Sequence, residues 1–181
     1  MAKPKFYLVS NFLSGIGAAH NMLADAIESK TSYIEQVCLS ATLIDGFLRL
    51  SLVMKEQLRS KKNIVDPILL YQGKLQKKYI SEREVYKRAV AEKIITKAIF
   101  KKLNSLYDKR NIIVHRYLIS DIKTREVILI SKRYINIYLE ISERHRTIND
   151  ELINSNIGMA SLFIKNPSKE QIQEQIRKKH F

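Results

Sequence analysis

One stretch of this chain, from Leu106 to Ile119, holds side chains that could act on a phosphodiester. It reads LYDKRNIIVHRYLI, with Arg110 and His115 five positions apart and Asn111 directly after the arginine. A guanidinium binds phosphate oxygens, and an imidazole exchanges protons near neutral pH. An arginine, an amide and a histidine are the side chains that a metal-free attack on a phosphodiester would need.

Helical geometry makes Arg110 unusual within this stretch. At about 100° per residue, several apolar residues fall within roughly 60° of Arg110. They are Leu103, Leu106, Tyr107, Ile113, Val114 and Tyr117. A guanidinium cannot lose its charge, so an arginine in a core-facing position needs a carboxylate, a phosphate or a polar cavity opposite it.

Asp45 is a second charged residue in an apolar face, on a helix predicted near the start of the chain. Two interpretations of Asp45 and Arg110 stay open. They could form a buried ion pair without catalytic meaning, which would be costly to break. The same carboxylate could also hold Arg110 in position for a phosphate.

The pattern Arg110-Asn111, three residues, His115, one residue, Tyr117 resembles the motif of HEPN-domain ribonucleases, and its tyrosine resembles the HepT-like toxin branch. The resemblance implies a metal-independent endoribonuclease that acts as a toxin or an antiphage effector, with no cofactor. It implies that His115 is the general base or acid, that Arg110 stabilises the charged transition state and that Asn111 supports them. A 2′,3′-cyclic phosphate and a 5′-hydroxyl are the expected products.

The resemblance also implies partners. Such domains are homodimers whose motifs meet at a two-fold axis, and a partner nucleotidyltransferase attaches AMP to the motif tyrosine, here Tyr117. The helix itself gives a second reason to expect a dimer. Arg110 and His115 point about 140° apart on an ideal helix, so one copy would have difficulty placing both on one phosphate. On that helix Tyr117 lies about 20° from Arg110, on the same face.

Few glycines and prolines interrupt the pattern, which predicts an all-α fold: an antiparallel bundle of four to five long helices. We expect one domain, with an N-terminal arm (1–20), a bundle core (21–155) and a C-terminal extension with a short helix (156–181). Within the core we expect a helix over 21–55, which a break near residues 30–32 could divide. A second helix is expected to begin at the N-cap Ser81, to run to about Ile95 and to continue into the motif helix, and a third is expected over 125–154. The chain between Gln57 and Ile80 is expected to hold a loop and a short helix near Pro67.

The formal net charge of +14 favours a polyanionic partner, and RNA fits better than a membrane surface. No run is expected to be long and apolar enough to span a membrane. The single cysteine, Cys38, favours a reducing, cytoplasmic setting. The remaining histidines (His20, His145 and His180) lack partners at metal-ligand spacing and are expected at the surface, so no metal site is expected. The alternatives are a non-catalytic HEPN-like module that binds RNA, nucleotide or protein, and a basic helical adaptor.

Overall fold

The computed structural model describes residues 5–30, 32–71 and 79–157, and every regular element in these ranges is helical. The helices are α1 (Lys5–Glu28), α2 (Tyr33–Ser60), α3 (Pro67–Leu70), α4 (Glu82–Ala91), α5 (Lys97–Arg116) and α6 (Thr124–Asn154), with a 3₁₀ turn at Tyr117–Ile119. The predicted all-α class is confirmed. The short helix predicted in the C-terminal extension lies outside the described residues.

Helix α2 is the centre of the fold. It packs against each of the other five α-helices. Apolar residues on two of its faces are buried, with Ile44 and Leu48 on one face and Leu43 and Leu50 on the other. By length and composition alone, α2 could also cross a membrane, and 72% of its most apolar window is buried inside the protein. The expectation that no segment reaches that length is therefore wrong.

From Lys5 onward, the segment that was expected to form an N-terminal arm is helical and packs on the core. Helix α1 runs through residue 20 without a break, and Val9, Ala18 and Leu23 are buried in the same core as the rest of the fold. The expected break near residues 30–32 is present, because α1 ends at Glu28 and α2 begins after the N-cap Ser32. The boundary expected at residue 20 is therefore replaced by a short connection between α1 and α2.

Helix α4 ends earlier than predicted and does not continue into α5. Lys93 adopts a left-handed conformation with φ 56°. The Lys93 amide donates to the Val90 carbonyl (3.0 Å), and the Ile94 amide donates to the Ala89 carbonyl (2.8 Å). These two bonds form a Schellman motif, which ends a helix by satisfying its last carbonyls. A lysine in place of the usual glycine hid this stop from the sequence analysis.

The start of α4 and the start of α5 both follow from side-chain caps. The Ser81 hydroxyl accepts a hydrogen bond from the Glu84 amide (3.3 Å), as the sequence predicted. The Thr96 hydroxyl accepts one from the Ile99 amide (3.2 Å). Each cap satisfies an amide that has no partner within its own helix. These two caps fix where the helices that carry the candidate site begin.

Candidate functional site

Helix α5 presents Arg110 toward the core, as the periodicity predicted. The buried residues of α5 lie at helical spacing and are Ile99, Leu103, Leu106 and Ile113. Arg110 occupies the core-facing position between Leu106 and Ile113, and its side chain is 19% exposed. Val114 and Tyr117 were expected in the same stripe. Val114 is 43% exposed instead, so the apolar stripe is narrower than predicted.

Glu82 is the charged partner of Arg110. The Arg110 Nη1 donates to both carboxylate oxygens of Glu82, at 2.9 Å and 2.7 Å. Burial by itself would lower the pKa of Arg110, but the charge and hydrogen bonds of Glu82 raise it on balance. The Tyr107 ring lies under the guanidinium, with the guanidinium carbon 4.7 Å from the ring centroid. Arg110 is thus held on two sides.

Asp45 does not pair with Arg110, and the predicted ion pair between them is wrong. Its carboxylate accepts from Arg49 Nε at 2.6 Å, four residues along α2. Arg49 is buried and also donates to the carbonyls of Leu69 (3.1 Å) and Ile80 (2.9 Å). Burial raises the pKa of Asp45, against the opposing effect of Arg49. Asp45 therefore supports the chain that enters α4, and through it the position of Glu82.

Arg110, Asn111 and His115 line one cavity of about 620 Å³. Tyr107 lines it too, with Ile112 and Arg116. Arg110 and His115 thus line the same cavity, although they point about 140° apart on an ideal helix. Arg110 Nη2 approaches the Asn111 amide oxygen at 3.4 Å. One protomer brings the predicted arginine, amide and histidine together.

Tyr117 does not line this cavity. The α-helical conformation is lost at Arg116, where φ is −138° and ψ is 15°, and a 3₁₀ turn follows. The predicted angle of about 20° between Tyr117 and Arg110 therefore does not apply. The Tyr117 hydroxyl is 2.8 Å from the Thr124 hydroxyl at the start of α6.

Glu82, Tyr107 and Arg83 belong to the site although the sequence analysis gave them no functional role. Arg83 stacks on the Tyr107 ring at 4.6 Å and pairs with Asp108. Glu82 directly follows the N-cap of α4, which was identified correctly, but its partner lies 28 residues further along the chain. Only the packing of α4 on α5 brings them together. The unmet charge of Arg110 was the signal that a carboxylate had to be nearby.

Of the two other histidines in the described ranges, His20 is exposed and His145 is half-buried. The His20 Nδ1 lies 2.7 Å from the Tyr138 hydroxyl. His145 contacts the Ser51 hydroxyl (3.0 Å) and the Phe47 ring, and burial lowers the pKa of His145 to about 4. The expectation that they lie at the surface is therefore wrong for His145, while His180 lies outside the described residues.

Within residues 5–30, 32–71 and 79–157, no three histidine, cysteine, aspartate or glutamate side chains are arranged to hold a metal ion. Cys38 is half-buried, and burial raises the pKa of its thiol. Comparison with protein-family models, with curated proteins and with solved structures found no match to this chain.

Proposed function

We propose that this protein is a metal-independent endoribonuclease in which the ribose 2′-hydroxyl attacks the adjacent phosphate. The observation that carries the proposal is the cavity shared by Arg110, Asn111 and His115. This cavity is lined both by a cation that can bind the phosphate, Arg110, and by a group that can transfer protons, His115. The net charge of +14 supports an RNA substrate.

The reaction needs both a base and an acid. The 2′-hydroxyl loses its proton as its oxygen attacks phosphorus, and the leaving 5′-oxygen gains a proton as its bond to phosphorus breaks. His115 performs one of these transfers, Arg110 stabilises the charge on the phosphorane, and Asn111 orients the phosphate. A second His115, from a second copy across a two-fold axis, supplies the other transfer. The proposal therefore includes a HEPN-like antiparallel bundle that acts as a homodimer.

Cytoplasmic action as a toxin or antiphage effector completes the proposal, with a nucleotidyltransferase-type antitoxin as the controlling partner. Tyr117 is the proposed site of AMP attachment. Its hydroxyl bonds to Thr124 and lies outside the Arg110 cavity. AMP attached there would break the contact between the 3₁₀ turn and α6 and place negative charge beside the site. Control would then act on the end of α5 and not by direct competition for Arg110.

A second candidate function is a non-catalytic helical module that binds RNA. The Glu82–Arg110 pair favours it, because an arginine already paired with a carboxylate can serve the fold alone. In that case RNA binds the basic surface and is released without being cleaved. Binding without cleavage separates the two candidates.

Cleavage of RNA in the presence of EDTA is the decisive assay. The parent protein is expected to cleave, and His115→Ala to lose about 10²- to 10⁴-fold in rate, which is typical for a removed general acid or base. His115 is exposed, so this variant should unfold at the same urea concentration as the parent. His20→Ala is the matched control and should cleave normally. Equal cleavage by parent and His115→Ala would refute the catalytic role.

Arg110→Ala should also abolish cleavage, but it needs an unfolding control. It leaves Glu82 half-buried without its cation, and we expect the free energy of unfolding to fall by roughly 1–3 kcal/mol, less than for a fully buried pair. Urea unfolding monitored by circular dichroism gives this value. Assays at a temperature where the variant remains folded then separate lost chemistry from lost structure.

A further inference from the structure

Arg110 uses only part of its hydrogen-bonding capacity on Glu82. Both contacts to the carboxylate come from a single nitrogen, Nη1. Nη2 makes one long contact to Asn111, and Nε has no hydrogen-bond partner in the described part of the chain. Nε and Nη2 form one edge of the guanidinium, with parallel N–H groups at the spacing of two phosphate oxygens. The carboxylate therefore leaves that edge open to a substrate.

Glu82 is itself held firmly in place. Its side chain is only 16% exposed, and the buried Tyr86 hydroxyl donates a hydrogen bond to its Oε1. Two residues before Glu82, the Ile80 carbonyl accepts a hydrogen bond from Arg49 (2.9 Å), and Ser81 caps α4. These contacts give the carboxylate a fixed position from which to orient the arginine.

The Glu82–Arg110 pair also lies where two cavities meet. Glu82 and Tyr107 line a cavity of about 540 Å³ on one side, and Arg110 and Tyr107 line the cavity that contains His115 on the other. The residues that line the two cavities would not by themselves fix the position of the guanidinium, because an arginine side chain has several rotatable bonds. Tyr107 limits movement perpendicular to the guanidinium plane, and Glu82 limits movement within it.

We propose that Glu82 is the positioning residue of the site, holding Nη1 of Arg110 so that its Nε–Nη2 edge faces the scissile phosphate beside His115. This inference rests on the proposed ribonuclease function. Glu82 touches neither RNA nor the reacting atoms and acts only through Arg110. A displacement of the guanidinium by about 1 Å can cost roughly 10²-fold in rate, so loss of Glu82 should lower kcat far more than it raises KM.

Chemical rescue provides a readout that a merely structural role would not change. Arg110→Ala leaves a space beside Glu82 that free guanidinium can enter at millimolar concentration, well below the concentrations that unfold proteins. Added guanidinium should restore cleavage by at least tenfold in Arg110→Ala and by none in Glu82→Ala/Arg110→Ala. The parent and His115→Ala, treated identically, show whether guanidinium acts elsewhere.

Single substitutions complete the test. Glu82→Ala should reduce kcat by roughly 10²-fold, and Glu82→Gln by less, because its amide oxygen can still accept from Arg110 and from Tyr86. Glu84→Gln is the matched control, since Glu84 lies in the same first turn of α4 but pairs with Arg88 on the exposed surface (3.3 Å). Glu84→Gln should retain full activity. If Glu82→Ala fails to fold, Glu82→Gln and the rescue of Arg110→Ala carry the measurement.

The outcomes separate this inference from the function on which it rests. An inactive parent protein overturns both. An active parent with an inactive His115→Ala supports the ribonuclease. In that case, full activity in Glu82→Gln and Glu82→Ala, or equal guanidinium rescue with and without Glu82, overturns the positioning role alone.

Discussion

Two partly buried titratable side chains, Asp45 and His145, have shifted pKa values that make the stability of the protein depend on pH. Burial lowers the pKa of His145 to about 4, whereas a histidine in an unfolded chain titrates near its ordinary value of about 6.5. Between these values the unfolded chain takes up a proton that the folded protein excludes. The contribution of His145 to stability is therefore complete above about pH 6.5 and is lost as the pH falls toward 4.

Urea unfolding at pH 7.5 and pH 4.5 tests this effect. Relative to His145→Gln, the parent protein should lose on the order of 2 kcal/mol more of its free energy of unfolding at the lower pH. Burial raises the pKa of Asp45, so its protonation acts in the opposite direction, but it is present in both proteins and cancels. Equal losses in the two proteins would contradict the account of His145.

Single residues also mark how far the sequence could predict the site. A charged residue at a core-facing helical position predicted that Arg110 needs a partner, and it has one. The chosen partner, Asp45, was wrong because α2 supplies its own arginine four residues later, and Arg49 pairs with it instead. Glu82 could not be identified, since nothing local in the sequence indicates which of several carboxylates meets α5.

At the level of helices and turns, the end of α4 depends on a lysine with φ 56°. A left-handed conformation is strained by roughly 1–2 kcal/mol for most residues but not for glycine, which in turn loses more entropy on folding. Lys93→Gly should therefore stabilise the protein by roughly 0.5–1 kcal/mol, and Lys93→Ala should leave stability unchanged. Thermal unfolding of the three proteins measures this, and destabilisation by Lys93→Gly would contradict the assigned turn.

Helix interiors were predictable and helix ends were less so. The apolar residues at core-facing helical spacing in α6, including Val127, Ile130 and Tyr134, are buried as the periodicity predicts. The Ser81 cap and the short helix at Pro67 were also predicted. The stops at Ala91 and Arg116 were not, because neither is marked by glycine or proline. Hydrophobic periodicity records which face meets the core, whereas an end of this kind depends on backbone conformation.

For the whole molecule, the 3₁₀ turn that follows α5 presents apolar side chains next to Arg116, which lines the candidate site. Leu118 and Ile119 are 93% and 84% exposed. Burying them against a second copy would bring two sites together, as the acid and base steps require. Light scattering should give a dimer for the parent protein and a monomer for Leu118→Glu/Ile119→Glu, which should also lose activity. Leu139→Glu is the control, because Leu139 is also exposed but lies on α6, and this variant should remain dimeric.

A parent protein that is monomeric at micromolar concentration would contradict the predicted dimer. A Leu118→Glu/Ile119→Glu variant that remains dimeric would contradict the predicted interface. The sequence indicated a dimer from helix angles, yet Arg110 and His115 share one cavity within a protomer. The reason to expect two copies is now the need for a second proton-transfer group, together with the exposed Leu118 and Ile119.

If His115 and Arg110 cleave RNA through its own 2′-hydroxyl, the mechanism determines which chemical groups the product ends carry. RNA is incubated in EDTA with the parent protein or with His115→Ala, and the fragment ends are identified by mass spectrometry. We expect 2′,3′-cyclic phosphates and 5′-hydroxyls from the parent and uncut RNA from His115→Ala. Uncut RNA with the parent, or fragments with 3′-hydroxyl and 5′-phosphate ends, would contradict this mechanism.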